Sequence, residues 1–394
     1  MGEERIYLDH QATTPVDPRV LEVMLPYFTE VFGNAASRDH IFGLEAKRAV
    51  DKAREQIARG INARPDEIIF TSGATESDNI ALFGVAEKLA HKGDHFITCV
   101  TEHKAVLDSC AELERRGKRV TYLPVDPYGR VDPDDVSKAI TPQTILISIM
   151  AANNEIGTIA PIAEIGRIAA EHGVLFHTDA VQAFGRIPLD VKAMNIHLMS
   201  LSGHKIYGPK GVGALYRRRS NPRAQVAPVI YGGGHERGLR SGTLNVPAIV
   251  GFGEAAMIAV REMDRENEKY RAWTRQMLEQ LREALGEVYL NGHPTERLAH
   301  NLNVSIPGVE SRALIVKLKD VAIATGSACT SDKVEPSHVI SALGFGDQRA
   351  HSAIRISVGR TNNEYALNIA TRLIVARAKE LITVSPSQAL SRLY

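Results

Sequence analysis

With 394 residues, 44% apolar and 24% charged, the chain has the composition of a globular protein of two or three domains, with ample length for buried cores. A net charge of +1 leaves no electrostatic footprint for a nucleic acid or a membrane surface. Three cysteines (Cys99, Cys110 and Cys329) are too few for a disulfide framework, no apolar run reaches 18 residues, and the charged start Met1–Arg5 precedes no signal-like stretch, so a cytoplasmic protein is expected.

Asp17-Pro18 reads as the N-cap and first residue of a helix, with Val20, Leu21, Met24, Leu25 and Phe28 on one face. A second helix runs from near Leu44 to Arg59 and stops at Gly60. Ile68-Ile69-Phe70 reads as a short strand leading through Thr71-Ser72-Gly73-Ala74 into a helix that starts near Thr75. Strands are expected at 95–100, 119–123, 144–150, 174–178, 197–201 and 211–216, with helices in most of the earlier gaps. This alternation implies an α/β region with a largely parallel sheet. Ligand-binding groups in such sheets collect in loops at the carboxyl ends of the strands, where Thr75, His103, Asp179 and Lys205 all fall. Arg217, Arg218, Arg219 and Arg223 form the densest basic cluster, read as a solvated face, with a dock for an acidic partner as the alternative. After about residue 250 a long polar helical stretch (254–285) is followed by strands near 302–306, 321–325 and 354–358 and a terminal helix at 363–381. The expected division is a large domain over 15–253 and a smaller α+β domain formed by 1–14 and 254–394.

Lys205, in Ser202-Gly203-His204-Lys205, follows a buried strand, and partial desolvation there makes an amine nucleophilic enough for a Schiff base with an aldehyde cofactor. Asp179 ends the apolar run from Val174, so its carboxylate needs a partner. A protonated pyridine nitrogen would serve, as in a pyridoxal phosphate (PLP) site; an N-cap for the next helix is the alternative. Gln182 is placed to donate to the phenolic oxygen of such a ring. Ser72–Thr75 joins a strand to a helix N-terminus, which favours a phosphate dianion, although a simply capped helix reads the same way. Ser202 and His204 could add donors to that phosphate. His103 could stack on a flat ring and move protons, or be structural. Arg355 interrupts an apolar strand and offers a bidentate grip on a substrate carboxylate, with Asn154 assisting. Cys329 lies in a small, polar stretch that suits an available thiol, whereas Cys99 and Cys110 read as buried and inert. His235-Glu236 lacks a second histidine at ligand spacing, and no metal is expected.

Six motifs, in order along the chain, resemble the cysteine desulfurases of the iron–sulfur-cluster-assembly and nitrogen-fixation branch, within the class V aminotransferase superfamily. They are Tyr7-Leu8-Asp9-His10 with Ala12-Thr13-Thr14-Pro15, Thr71–Ser77, Thr101-Glu102-His103, Ser202–Lys205, Arg240-Ser241-Gly242-Thr243 and Gly326–Ser331. The resemblance implies PLP fold type I, with a mostly parallel seven-stranded sheet flanked by helices. It also implies PLP as cofactor and a persulfide on Cys329, formed as L-cysteine becomes L-alanine. It carries the Schiff base to Lys205, ring stacking to His103, the pyridine contact to Asp179 and the phenolic contact to Gln182. Phosphate binding falls to Thr75, Ser202 and His204, with Thr243 acting across a homodimer interface. Asn154 and Arg355 take the substrate carboxylate. The implied partner is a sulfur-acceptor protein such as an iron–sulfur scaffold; no nucleic acid or membrane is implied.

Two departures from the family pattern stand out: Asn34-Ala35-Ala36-Ser37 has alanine where proline is usual, and the tail ending at Tyr394 is shorter than in housekeeping members, which bears on scaffold docking. Rival readings on the same scaffold are a selenocysteine lyase or an aminotransferase, which would not need Cys329. A rival of another class is a non-catalytic sulfur-relay subunit, which should have lost Lys205, Asp179 or Cys329.

Overall fold

The computed structural model of the protein describes residues 5–325 and 336–384. Seven strands form the central sheet: β2 (Ile68–Thr71), β3 (His95–Cys99), β4 (Arg119–Leu123), β5 (Thr144–Ser148), β6 (Leu175–Asp179), β7 (Leu198–Ser202) and β8 (Gly213–Arg217). Their order is β2-β8-β7-β6-β5-β3-β4, parallel throughout except that β8 runs against both its neighbours. Every residue of β5, β6 and β7 is buried, as expected of strands covered on both faces. Side chains alternate between two cores. Phe70, Ile97 and Phe176 pack with the helices Ile41–Arg59 and Val246–Leu285, while Ile69, Phe96 and Leu175 pack with Ala74–Lys88 and Lys104–Arg115.

Strand β1 (Ile6–Tyr7) pairs in parallel with β11 (Val321–Ala322), and β12 (Ala353–Ser357), β10 (Asn301–Ser305) and β9 (Tyr289–Leu290) make an antiparallel sheet. Ile6, Leu8, Val304 and Ile356 share a separate core with Tyr270, Trp273 and Leu281. The helix Val246–Leu285 runs unbroken for 40 residues. It contributes Ile249, Phe252 and Ile258 to the core of the large sheet, and Tyr270 onward to the other. No described helix is long and apolar enough to cross a membrane.

Two expectations need correction. Asp17 caps its helix and Pro18 opens it, but that helix ends at Met24 and a second begins at Pro26. A proline brings no backbone N–H to continue the ladder, so the apolar face stops short. Val20 and Met24 are buried, whereas Leu21, Leu25 and Phe28 are exposed. Nor is the arginine cluster a solvated face: Arg217 is 6% exposed and Arg218 8%. Arg217 belongs to β8, an internal strand. Arg218 Nη2 donates to Val191 O (3.0 Å), and Arg219 pairs with Asp66 (2.8 Å). Only Arg223 among the four is exposed.

Candidate active site

The carboxyl ends of β2, β3, β6 and β7 open into a cavity of about 520 Å³. Thr75, His103, Asn154, Asp179, Gln182, Ser202, His204, Lys205 and Arg355 all line it. These residues are up to 280 positions apart in sequence; the sheet topology brings them to one rim. Thr243 is exposed and does not line the cavity of its own chain. Cys329 lies outside the described residues.

The helix Ala74–Lys88 starts at the cavity with no side-chain cap, so its first N–H groups are left for another acceptor. Glu76 is occupied elsewhere: it accepts from Ser72 N (2.9 Å) and pairs with Arg240 (2.7 Å). Strand β8 can approach this turn only through Gly213, where a Cβ would stand 2.7 Å from Gly73 Cα. His204 lies on the same side, its Nδ1 3.1 Å from Thr13 Oγ1. Burial, helped by Lys205 and Lys210, lowers its pKa to about 4, so the ring is neutral at pH 7.

Lys205 follows β7 in a short turn, and its Nζ donates to Gln11 O (2.6 Å) and Ala12 O (2.7 Å). Those carbonyls belong to a segment stitched to the lysine turn. Thr14 Oγ1 donates to His204 O (2.8 Å) and accepts from Tyr207 N (2.9 Å). Gln182 Nε2 also donates to Gln11 O (3.1 Å). Gln11 and Ala12 escaped the sequence reading because they act through backbone oxygens, which no side-chain pattern announces.

Asp179 ends β6 and is 6% exposed. One oxygen accepts from Val181 N (2.9 Å), a local turn; no helix begins there. Burial raises its pKa, while His103 and Lys205 oppose the rise. Two more buried acids lie close enough to feel its charge. Asp78 is pushed well above the usual carboxylate range by burial and by Asp179, and Glu102 is pushed up to about 8, mainly by burial. The nearest basic ring to Asp78 is His177, 3.6 Å away, and burial lowers that ring to about 3, so it brings no charge. Of the three, Asp179 alone has neighbours, Lys205 and His103, that oppose the rise, so negative charge is favoured there over Asp78 and Glu102. Asp78→Asn should accordingly change stability by no more than about 1 kcal/mol in thermal unfolding. Asp179→Asn should cut turnover on the order of 10²-fold or more in steady-state assays.

His103 caps the helix Lys104–Arg115, its Nδ1 accepting from Ala105 N (3.1 Å). In the neutral ring the proton then sits on Nε2. Arg355, on β12, is 3% exposed. Its Nη1 donates to Asn154 O (2.8 Å) and its Nη2 to Asp9 Oδ1 (2.8 Å), while buried Nε has no hydrogen-bond partner among the described residues. A buried guanidinium on the cavity wall, already oriented by two hydrogen bonds, suits an incoming carboxylate through its charge. The two other cysteines are buried; burial raises both thiols, Cys110 to about 12. Neither is a thiolate at neutral pH.

A family model for class-V aminotransferases matches residues 6–368. The chain belongs to the class-V aminotransferase family. This class-V chain is 51% identical to the cysteine desulfurase IscS of Rickettsia peacockii (strain Rustic) over 381 residues, 97% of this chain and 93% of that one. It matches the protein of the same name from Rickettsia bellii (strain OSU 85-389) to the same extent. Among solved structures, a NifS-like protein superposes with a TM-score of 0.88 at 38% identity, covering 94% of this chain and 98% of that one. A structure described as SspA in complex with cysteine superposes with a TM-score of 0.79 at 39% identity, covering 90% and 98%. The fold is the one expected from the sequence: a mostly parallel sheet flanked by helices, shared with PLP fold type I relatives.

Proposed function

We propose that the chain is a cysteine desulfurase that converts L-cysteine to L-alanine and leaves the sulfane sulfur on Cys329. The observation that carries this reading is the convergence of Lys205, Asp179, an uncapped helix terminus and Arg355 on one cavity. That set fits PLP: backbone N–H groups for its phosphate, a buried carboxylate for its ring nitrogen, an amine for its aldehyde. Thr75, Ser202 and His204 would hold the phosphate, Gln182 the phenolic oxygen and His103 the ring face. When bound, the cofactor supplies an electron sink for charge developing at the substrate Cα.

The protein's own groups do the rest. Arg355 and Asn154 bind the α-carboxylate and fix which substrate bond faces Lys205. Lys205 moves the proton at Cα. The Cys329 thiolate attacks the substrate sulfur: an S–S bond forms, the substrate C–S bond breaks, and protons return to carbon to give alanine. His103, with its proton on Nε2, exchanges protons with the departing sulfur or with carbon. A homodimer, with Thr243 offered to the partner's phosphate site, and a sulfur-acceptor protein for iron–sulfur cluster or thio-cofactor synthesis complete the reading. It places the work in the cytoplasm, on a large domain (15–253) and a small one (1–14 with 254–394).

Purified protein incubated with L-cysteine, beside L-selenocysteine, tests the proposal. With a reducing thiol present to reduce the Cys329 persulfide to sulfide and the free thiol, alanine and sulfide in equal amounts, with visible absorption from bound PLP, are expected. Turnover of selenocysteine alone would assign a selenocysteine lyase, and transamination without sulfur release an aminotransferase. Arg355→Lys should raise KM for L-cysteine about 10- to 100-fold in steady-state kinetics, because a point charge cannot replace the fork.

A further inference from the structure

Glu155 follows Asn154 and is itself 3% exposed. Its backbone is fixed on both sides: the N–H donates to Asn153 Oδ1 (2.8 Å), and the carbonyl accepts from Asn301 Nδ2 (2.9 Å) and Asn303 Nδ2 (3.1 Å). Its carboxyl group accepts a hydrogen bond from Ser337 Oγ, and both partners are buried. The same hydroxyl accepts from Ile340 N (3.2 Å) and so caps the helix His338–Ala342. Beside it, His338 Nε2 lies 3.1 Å from Glu102 O, next in the chain to His103. On the other side of residues 326–335, Ala324 pairs backbone to backbone with Arg355. Ile156, which follows Glu155, packs with Val339, Ile340 and Ala353, and Ala353 opens the strand that bears Arg355.

We infer that Glu155 is a positioning residue, which through Ser337 ties the Asn154–Arg355 wall of the cavity to the chain leading back to Cys329. The inference rests on the desulfurase reading above and names a residue to which that reading gives no role. Arg355 Nη1 reaches Asn154 O, and the next side chain reaches Ser337, so one dipeptide carries both contacts. Glu155 is not itself a lining residue of the cavity, and its carboxyl accepts from Ser337. Burial raises Glu155 to about 7, against the pull of Arg355, His103 and Lys104. A hydrogen bond from a hydroxyl serves either protonation state as long as an acceptor oxygen faces Ser337, so the contact needs an acceptor rather than a charge.

The test is a double-mutant cycle on Glu155→Ala and Ser337→Ala in the PLP-loaded protein, read as kcat, KM and hydrogen exchange at the Ile340 amide. Each single variant should lower kcat about tenfold with KM within about twofold of wild type, and the double variant should lose no more than either single. Ile340 exchange should quicken in all three. Glu155→Gln and Ser337→Thr, which keep acceptor and donor, should restore kcat. Additive losses, a rise in KM at unchanged kcat, or a Glu155→Gln variant as poor as the alanine would each overturn the positioning role. Should Glu155→Ala fail to fold, Ser337→Ala and Ser337→Thr, which change a residue outside the cavity lining, decide the matter. A wild-type protein that forms no alanine from cysteine would sink the desulfurase reading itself, whereas additive losses in an active enzyme overturn only this inference.

Discussion

Lys205→Ala will reduce alanine formation from L-cysteine on the order of 10⁴-fold, the upper range for removing a positioned proton-transfer group. The amine is held on Gln11 O and Ala12 O in the mouth of the cavity, and no other described amine on the lining is placed at the end of β7 with it. Lys210, the other lysine on the lining, is exposed, and charge alone does not substitute for position. The fold should survive, because Lys205 is only partly buried and the segment 11–14 keeps its contacts with His204 and Tyr207. Circular dichroism and thermal unfolding check the fold, and an alanine assay checks the chemistry. Turnover within about tenfold of wild type would remove Lys205 from the reaction.

Cys329→Ser will stop sulfur transfer while leaving cofactor and substrate binding in place. An alcohol is a far weaker nucleophile toward sulfur than a thiolate, and neither remaining cysteine can take over. Cys99 and Cys110 are buried, and burial disfavours their thiolates. Sulfide and alanine release should fall to background, while titration with L-cysteine still perturbs the visible absorption of the bound cofactor. Cys99→Ala and Cys110→Ala should remain active, with losses confined to the stability cost of small cavities, about 1 kcal/mol each. Near-normal sulfide release from Cys329→Ser would refute the persulfide route.

Much of this was legible in the chain, and the reasons are local. Strands such as β6 and β7 are buried on both faces, so they appear as apolar runs whose ends are marked by the polar groups of the site: Asp179 closes one, Ser202 the other. Residues that face a ligand at such ends announce themselves because a polar group after an apolar run needs a reason. The failures share a different cause. Leu21, Leu25 and Phe28 keep helical spacing but are exposed, and Pro26 breaks the helix between Leu21 and Phe28. Arg217 and Arg218 look like a solvent-facing run, yet the first completes an internal strand and the second reaches a backbone carbonyl. Nothing in the sequence around Asp78, Glu102 and Glu155 marks them as buried; only the packing of the helix Ala74–Lys88 and of the loops after β3 and β5 shows it. Dependence on tertiary context hides these groups from any reading by neighbours in sequence.

The central claim is that sulfur moves from the substrate to one thiol of this chain. A single-turnover reaction under anaerobic conditions, with L-cysteine limiting and no acceptor or reductant, measures it directly by peptide mass analysis after acid quench. The account predicts alanine equal to the cysteine consumed and a gain of one sulfur atom on the peptide carrying Cys329, reversed by a reducing thiol. Alanine formed with that peptide unmodified, or the extra sulfur found on Cys99 or Cys110, would contradict it.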